Sequence, residues 1–165
     1  MRPNPHVTRT TSETKRRGAA AVEFAIMAPI FMFLTLGSVE LGYALNASNT
    51  LYGALREGGR LASQDWTTMI EPPDTANAKV IRDIQNMLTA ARIPGDQVTL
   101  TIVYADGPSA GQPFDLQDPD NYLQTFTINA AIPYEHVSLI PGHWLEGHDL
   151  RAAISFRMGR VTQVN

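Results

Sequence analysis

A chain of 165 residues with 13 basic and 16 acidic side chains, net charge −3, has room for one membrane anchor and one small folded domain and little else. It contains no cysteine, which excludes disulfides, thiol catalysis and cysteine-ligated zinc. The charge is divided: residues 1–18 carry Arg2, Arg9, Lys15, Arg16 and Arg17 against Glu13, net +4, while the remainder is net −7, an acidic balance that argues against a nucleic-acid surface.

In chain order, the basic tail of residues 1–18 is rich in Arg, Thr and Pro, has no apolar periodicity and reads as a disordered leader. Residues 19–45 read as a single transmembrane helix whose only charges are Glu23 and Glu40. The 16 uncharged residues between them rise roughly 24 Å as a helix. A bilayer core is about 30 Å thick, so either the bilayer is thinned at the Glu23 end or Glu23 sits inside the hydrocarbon. A carboxylate there costs on the order of 3 kcal/mol at mid-membrane and less near the edge, so an acid held at that depth implies a partner. The basic flank keeps the amino terminus cytoplasmic and places everything after the span on the far side. A secretory signal peptide is the competing reading. Its apolar core is usually about 7 to 15 residues, however, and the best cleavage-like triplet, Gly42-Tyr43-Ala44, has no helix-breaking lead-in. Pro29 predicts a bend in the span rather than its end.

The helical pattern continues past the membrane. Ala44, Ala47, Leu51, Ala54, Gly58 and Leu61 recur at steps of three and four, with Asn46, Asn49, Arg56, Glu57 and Arg60 between them, which predicts an amphipathic stem over residues 46–64. Its leucines are expected to shield an apolar patch on the domain that follows. Gly58-Gly59 is either a hinge or a close packing contact.

The segment Glu71-Pro72-Pro73-Asp74 breaks the chain, after which Asp74 or Thr75 caps a second helix reaching about Ala91 and closed by Pro94-Gly95. Val80, Ile81, Ile84, Met87, Leu88 and Ala91 share one face of it. Three runs then alternate with period two: Val98, Leu100, Ile102 and Tyr104; Phe126, Ile128, Ala130 and Ile132; Leu150, Ala152, Ile154, Phe156 and Met158. Thr99, Thr101, Thr125, Thr127, Asn129, Arg151 and Arg157 fall on the other side. The fold class is therefore α+β, with a head over residues 65–165 in which one helix packs on an antiparallel sheet of three or more strands.

Catalytic and metal-binding readings are weak. Gly107-Pro108-Ser109-Ala110-Gly111 fits the G-x-S-x-G elbow, with Asp115 and His143 downstream in hydrolase order, but Gln112-Pro113-Phe114-Asp115 carries no helical pattern and the elbow requires one. Asp115, Asp118 and Asp120 lack the glycine and terminal Glu of a calcium loop. His136, His143 and His148, near Glu135, Glu146 and Asp149, form no helical i, i+4 zinc pair. No enzyme activity, cofactor or metal is expected. Tyr134, Leu139, Ile140 and Trp144 concentrate apolar area in the last connection, either as a contact surface for another subunit or as a cap on the open end of the sheet core.

The most distinctive stretch is Lys15-Arg16-Arg17-Gly18-Ala19-Ala20-Ala21-Val22-Glu23-Phe24. A basic run, a glycine, four residues, Glu, then Phe and an apolar helix resembles the processing site of the type IV prepilin superfamily, in particular its Flp and TadE-like branch. The order of anchor, stem, helix and three strands is similar to TadE-like proteins too, as is the segment Pro133-Tyr134-Glu135-His136-Val137-Ser138-Leu139-Ile140-Pro141. The resemblance implies a minor pilin or pseudopilin of a Tad/Flp pilus and secretion apparatus, single-pass in the bacterial inner membrane. It implies cleavage between Gly18 and Ala19 by a membrane aspartic prepilin peptidase, and a Glu23 carboxylate that meets the new amino terminus of a neighbouring pilin-like subunit. The alternative is an uncleaved single-pass anchor carrying an extracytoplasmic binding or sensing domain.

Overall fold

The computed structural model describes residues 11–66, 70, 73–139 and 147–159, with side chains described from Gly18 onward. It divides into two compact units, Met1–Leu41 and Gly42–Asn165. The first described element, helix α1, runs Thr11–Ala62 and contributes to both. It passes through Pro29 without ending. Its start corrects one expectation: residues 11–18 are helical rather than disordered. Glu13, Lys15, Arg16 and Arg17 are good helix formers, and extending an existing helix avoids the nucleation cost that a free tail faces.

The second unit is built from the stem portion of α1, helix α2 (Ala76–Ala90), and strands β1 (Thr99–Tyr104), β2 (Thr125–Pro133) and β3 (Asp149–Arg157). The strands form one antiparallel sheet in the order β1-β2-β3, with Ile128 paired to both Ile102 and Ile154. This is the predicted α+β architecture, and the alternation places each strand as expected. Phe126, Ile128, Ala130 and Ile132 are all buried, whereas Thr99, Thr101, Arg151 and Arg157 are exposed. β1 begins one residue later than the pattern predicted because the Val98 amide is taken by the Gly95 carbonyl at 3.2 Å, closing a 3-10 turn.

The stem is part of the core rather than a cover laid over it. Ala47, Leu51, Ala54, Leu55 and Ala62 pack in the same apolar cluster as Val80, Ile84 and Leu88 of α2 and Phe126, Ile128 and Ile132 of β2. Gly58 and Gly59 lie inside α1, so the hinge reading gives way to the packing one: a Cβ on Gly58 would overlap Ile84, and one on Gly59 would overlap the Phe156 ring. Two adjacent residues without side chains let the helix backbone approach α2 and β3 at once.

α2 is closed at both ends. Thr75 caps it by accepting from the Ala78 amide at 3.2 Å, and Gln117 Oε1 accepts from the Ala76 amide at 3.0 Å, so two of the free first-turn donors are satisfied. The Arg82 guanidinium pairs with Asp74 just before the cap and holds its carboxyl below the ordinary value, with the Thr75 amide contributing. At the other end Arg92 takes a left-handed φ of 66°, and the Ile93 amide reaches back to the Leu88 carbonyl at 2.9 Å. Both Ile93 and Leu88 are buried, which completes a Schellman motif without glycine.

Residues 105–124 are more ordered than a solvated loop. Phe114 and Leu116 are fully buried, with the Phe114 ring 4.7 Å from Tyr104 and 5.2 Å from Phe126. Asn77 of α2 holds the segment from both sides, donating to the Phe114 carbonyl at 2.6 Å and accepting from the Leu116 amide at 3.0 Å. Buried Asn121 accepts from the Tyr104 hydroxyl at 2.6 Å and donates to the Asp115 carbonyl at 2.8 Å.

Candidate functional site

The first unit carries the predicted processing and assembly residues. Between Val22 and Leu41 the apolar side chains are exposed on every side of α1, including Phe24, Ile26, Met27, Ile30, Phe31, Phe33, Leu34 and Leu36. A helix apolar all round and unburied is one made for lipid rather than for a protein core. It is long and apolar enough to cross a membrane. Its hydroxyls suit that solvent: Thr35 and Ser38 donate to the carbonyls of Phe31 and Leu34 at 2.8 and 2.7 Å, leaving no unmet donor toward the hydrocarbon.

Gly18, Ala19, Glu23 and Phe24 are exposed, and among the described residues nothing approaches Gly18 within contact distance of an added Cβ. Helical geometry sets their relative positions. Glu23 lies five residues beyond Gly18, about 7.5 Å along the axis and about 140° around it, so the two face different neighbours. Ala19, by contrast, is one turn below Glu23 and only about 40° away, so both lie on one stripe of the helix.

The apolar surface expected in the last connection divides. Tyr134 is 5% exposed, with its amide bonded to the His148 carbonyl at 2.9 Å, so its ring is spent within the head. Leu139 is 48% exposed. Ile140 and Trp144 lie outside the described residues.

The remaining constellations resolve into local structure. Gly107 and Gly111 take left-handed φ values of 75° and 81° in a turn, and the chain returns as an extended segment instead of entering a helix. Asp115 and Asp118 accept from the amides of Gln117 and Asp120, each at 2.9 Å. His136 stands 3.8 Å from Glu135 in a 3-10 turn, Asp149 pairs with Arg151 at 3.0 Å, and His143 and Glu146 lie outside the described residues. Among the described residues, no three His, Asp or Glu side chains converge on a common point.

The two edges of the sheet differ. The edge of β1 is covered by the returning segment, with Gly111 and Phe114 amides bonded to the Tyr104 and Ile102 carbonyls at 2.9 and 3.0 Å, the Tyr104 amide bonded to the Gln112 carbonyl, and Pro113 opposite Val103. For β3, no backbone group among the described residues bonds to Asp149–Arg157 except those of β2.

A family model described as TadE-like protein matches residues 18–60, beginning at the glycine of the predicted processing site and ending within the packed stem. Over that segment the chain is similar to TadE-like proteins, and the head over residues 65–165 lies outside the match. No curated protein and no solved structure matches the chain.

Proposed function

We propose that this chain is a structural, non-enzymatic minor pilin or pseudopilin that supports assembly of Tad/Flp-type pili and their secretion apparatus. The observation that carries the reading is the coincidence at one place of a basic flank, Gly18, Glu23, Phe24, a lipid-compatible helix and the start of the TadE-like match. In this reading the anchor sits in the bacterial inner membrane with its amino terminus cytoplasmic and the head extracytoplasmic, as the basic tail favours.

Gly18 is accessible to a prepilin peptidase, and a cut after it makes Ala19 the new amino terminus. That ammonium then lies one turn below the Glu23 carboxylate of its own chain, on the same stripe. A second pilin-like subunit displaced along the helix axis by about one turn, roughly 6 Å, brings its ammonium level with that carboxylate. In hydrocarbon such a pairing is worth far more than in water, because each charge left alone there is costly. The reading needs no metal or cofactor. Leu139, exposed on the head, is assigned to a partner.

Intact-mass measurement of the membrane-extracted protein from cells with a working prepilin peptidase tests the cleavage: the mature chain begins at Ala19. Retention of Met1 would support the uncleaved anchored domain instead. Replacing Glu23 with Ala separates insertion from assembly, since the isolated helix gains about 1 to 3 kcal/mol on insertion scales while the counter-charge for the neighbour is lost. Normal pilus assembly and undiminished crosslinking to partner subunits in that variant would sink the role of Glu23.

A further inference from the structure

We infer that β3 is a pairing edge, and that its occupant is β3 of a second copy of this chain, joined antiparallel about Ala153 to make one six-stranded sheet. A nine-residue strand paired on one side only, without proline or bulge, offers along its outer edge a row of free donors and acceptors, which proteins ordinarily block. This protein blocks the other edge, with the Gln112 to Phe114 segment and its proline, and leaves this one open among the described residues. The larger inward side chains of β3 carry the mark of a missing neighbour, although Ala152 is buried. Leu150, Ile154 and Phe156 are only half-buried, while their partners across the ladder, Ile132, Ile128 and Phe126, are fully buried.

The choice of occupant rests on charge. Two copies related by a two-fold axis through Ala153 place Asp149 opposite Arg157 at both ends of the pairing, and Arg151 opposite Ser155. On the inner face Leu150 meets Phe156 and Ala152 meets Ile154, so apolar residues oppose apolar ones throughout. Neighbouring registers that keep the faces aligned are worse. Moving the axis to Ile154 sets Arg151 opposite Arg157, a like-charge pair, and moving it to Ala152 leaves Asp149 opposite Ser155 and gives up both ion pairs. A strand whose charge pattern is complementary to its own reverse is suited to itself. The pairing depends on neither cleavage at Gly18 nor entry into a pilus.

The test uses the full-length protein in nanodiscs or in isolated membranes. Because the chain has no cysteine, Ala153→Cys introduces one thiol on the proposed axis, where the two Cβ atoms stand about 4.5–5.5 Å apart, within reach of a short bismaleimide. Thr101→Cys is the control: it is exposed on the same face but lies five strand spacings, about 24 Å, from its mate. The expected result is a covalent dimer at Ala153→Cys several-fold above the control. Adding Asp149→Arg abolishes it by setting like charges opposite each other at both ends, and combining Asp149→Arg with Arg157→Asp restores it. Asp149 is exposed and its link to Arg151 is a surface pair, so the single charge change leaves the fold intact. Crosslinking no greater than at Thr101→Cys, or unchanged by Asp149→Arg, overturns the inference. So does crosslinking in native membranes to a different protein alone, which would give the edge to another partner.

Discussion

Gly58 offers a measurement in which two ordinary rules point in opposite directions. In an open helix, Gly→Ala stabilises by about 1 kcal/mol because the glycine backbone has more freedom to lose on folding. Gly53 is such a site: it is exposed on α1 and nothing lies within contact distance of an added Cβ. Gly58, five residues on, is buried, and its added methyl overlaps Cγ1 and Cδ1 of Ile84, itself fully buried in α2. Overpacking of this kind typically costs about 1–3 kcal/mol, so Gly58→Ala is net destabilising by roughly 0–2 kcal/mol once the helix gain is subtracted. The two variants should thus differ by about 1–3 kcal/mol, equivalent to roughly 5- to 150-fold in opening equilibrium. Amide exchange on the full-length protein in detergent micelles reads this directly. The protected amides of α2 and β2 should exchange faster in Gly58→Ala than in Gly53→Ala by that factor. A hinge between stem and head predicts something else, namely that both alanines stiffen the helix alike. Equal or slower exchange in Gly58→Ala would refute the packed-stem account.

Gly18→Leu should insert normally but remain untrimmed, because the translocon reads the apolar run while the peptidase needs a small residue at the cut; trimming at the normal mass would end the processing claim. Arg92→Gly should stabilise the head by about 1 kcal/mol, since the left-handed φ of 66° is strained for any residue with a Cβ, and an unchanged thermal midpoint would mean the motif is not limiting. Because Arg82 lowers the folded-state pKa of Asp74, the pair contributes stability above the ordinary carboxyl value of 3.8 and loses it as pH falls through the lower folded value. Protection at the start of α2 should therefore drop on acidification into that range, and in Asp74→Asn that step should be missing. A chain beginning at residue 61 removes Leu51 and Leu55, both fully buried, at about 1.5–3 kcal/mol each. Against a typical total of about 5–15 kcal/mol it should lose strand protection and self-associate, while one beginning at residue 46 should not; equal protection would mean the stem is dispensable.

The parts of this molecule that were legible in sequence are those where one repeating physical demand acts on many residues. Strands buried on one face impose period two, and the stem imposes steps of three and four, so β1, β2, β3 and most of the core face of α1 followed from pattern alone; the exception is Leu61, which is half-buried outside the core cluster while Ala62 beside it is fully buried. Single long-range ties leave no such trace. Asn77 anchors Phe114 and Leu116 from 37 and 39 residues away, and neither the asparagine nor the loop announces the other. Glycine pairs are ambiguous for a similar reason, because the missing side chain at Gly58 and Gly59 equally permits bending and close approach, and only Ile84 and Phe156 decide between them. The same logic governs function. Glu23 stood out because an acid in an apolar run costs several times the thermal energy and so requires an explanation. Tyr134 and Leu139 did not separate, since an apolar residue in a connection can satisfy the hydrophobic effect by turning inward or by meeting another chain. The edge of β3, open among the described residues, was hidden more deeply still: an edge is a property of what lies beside a strand, and the strand's own residues encode it only through the charges that would repel or attract a copy of itself. In β3 those charges, Asp149 and Arg157, sit at its two ends with Ala153 midway between them.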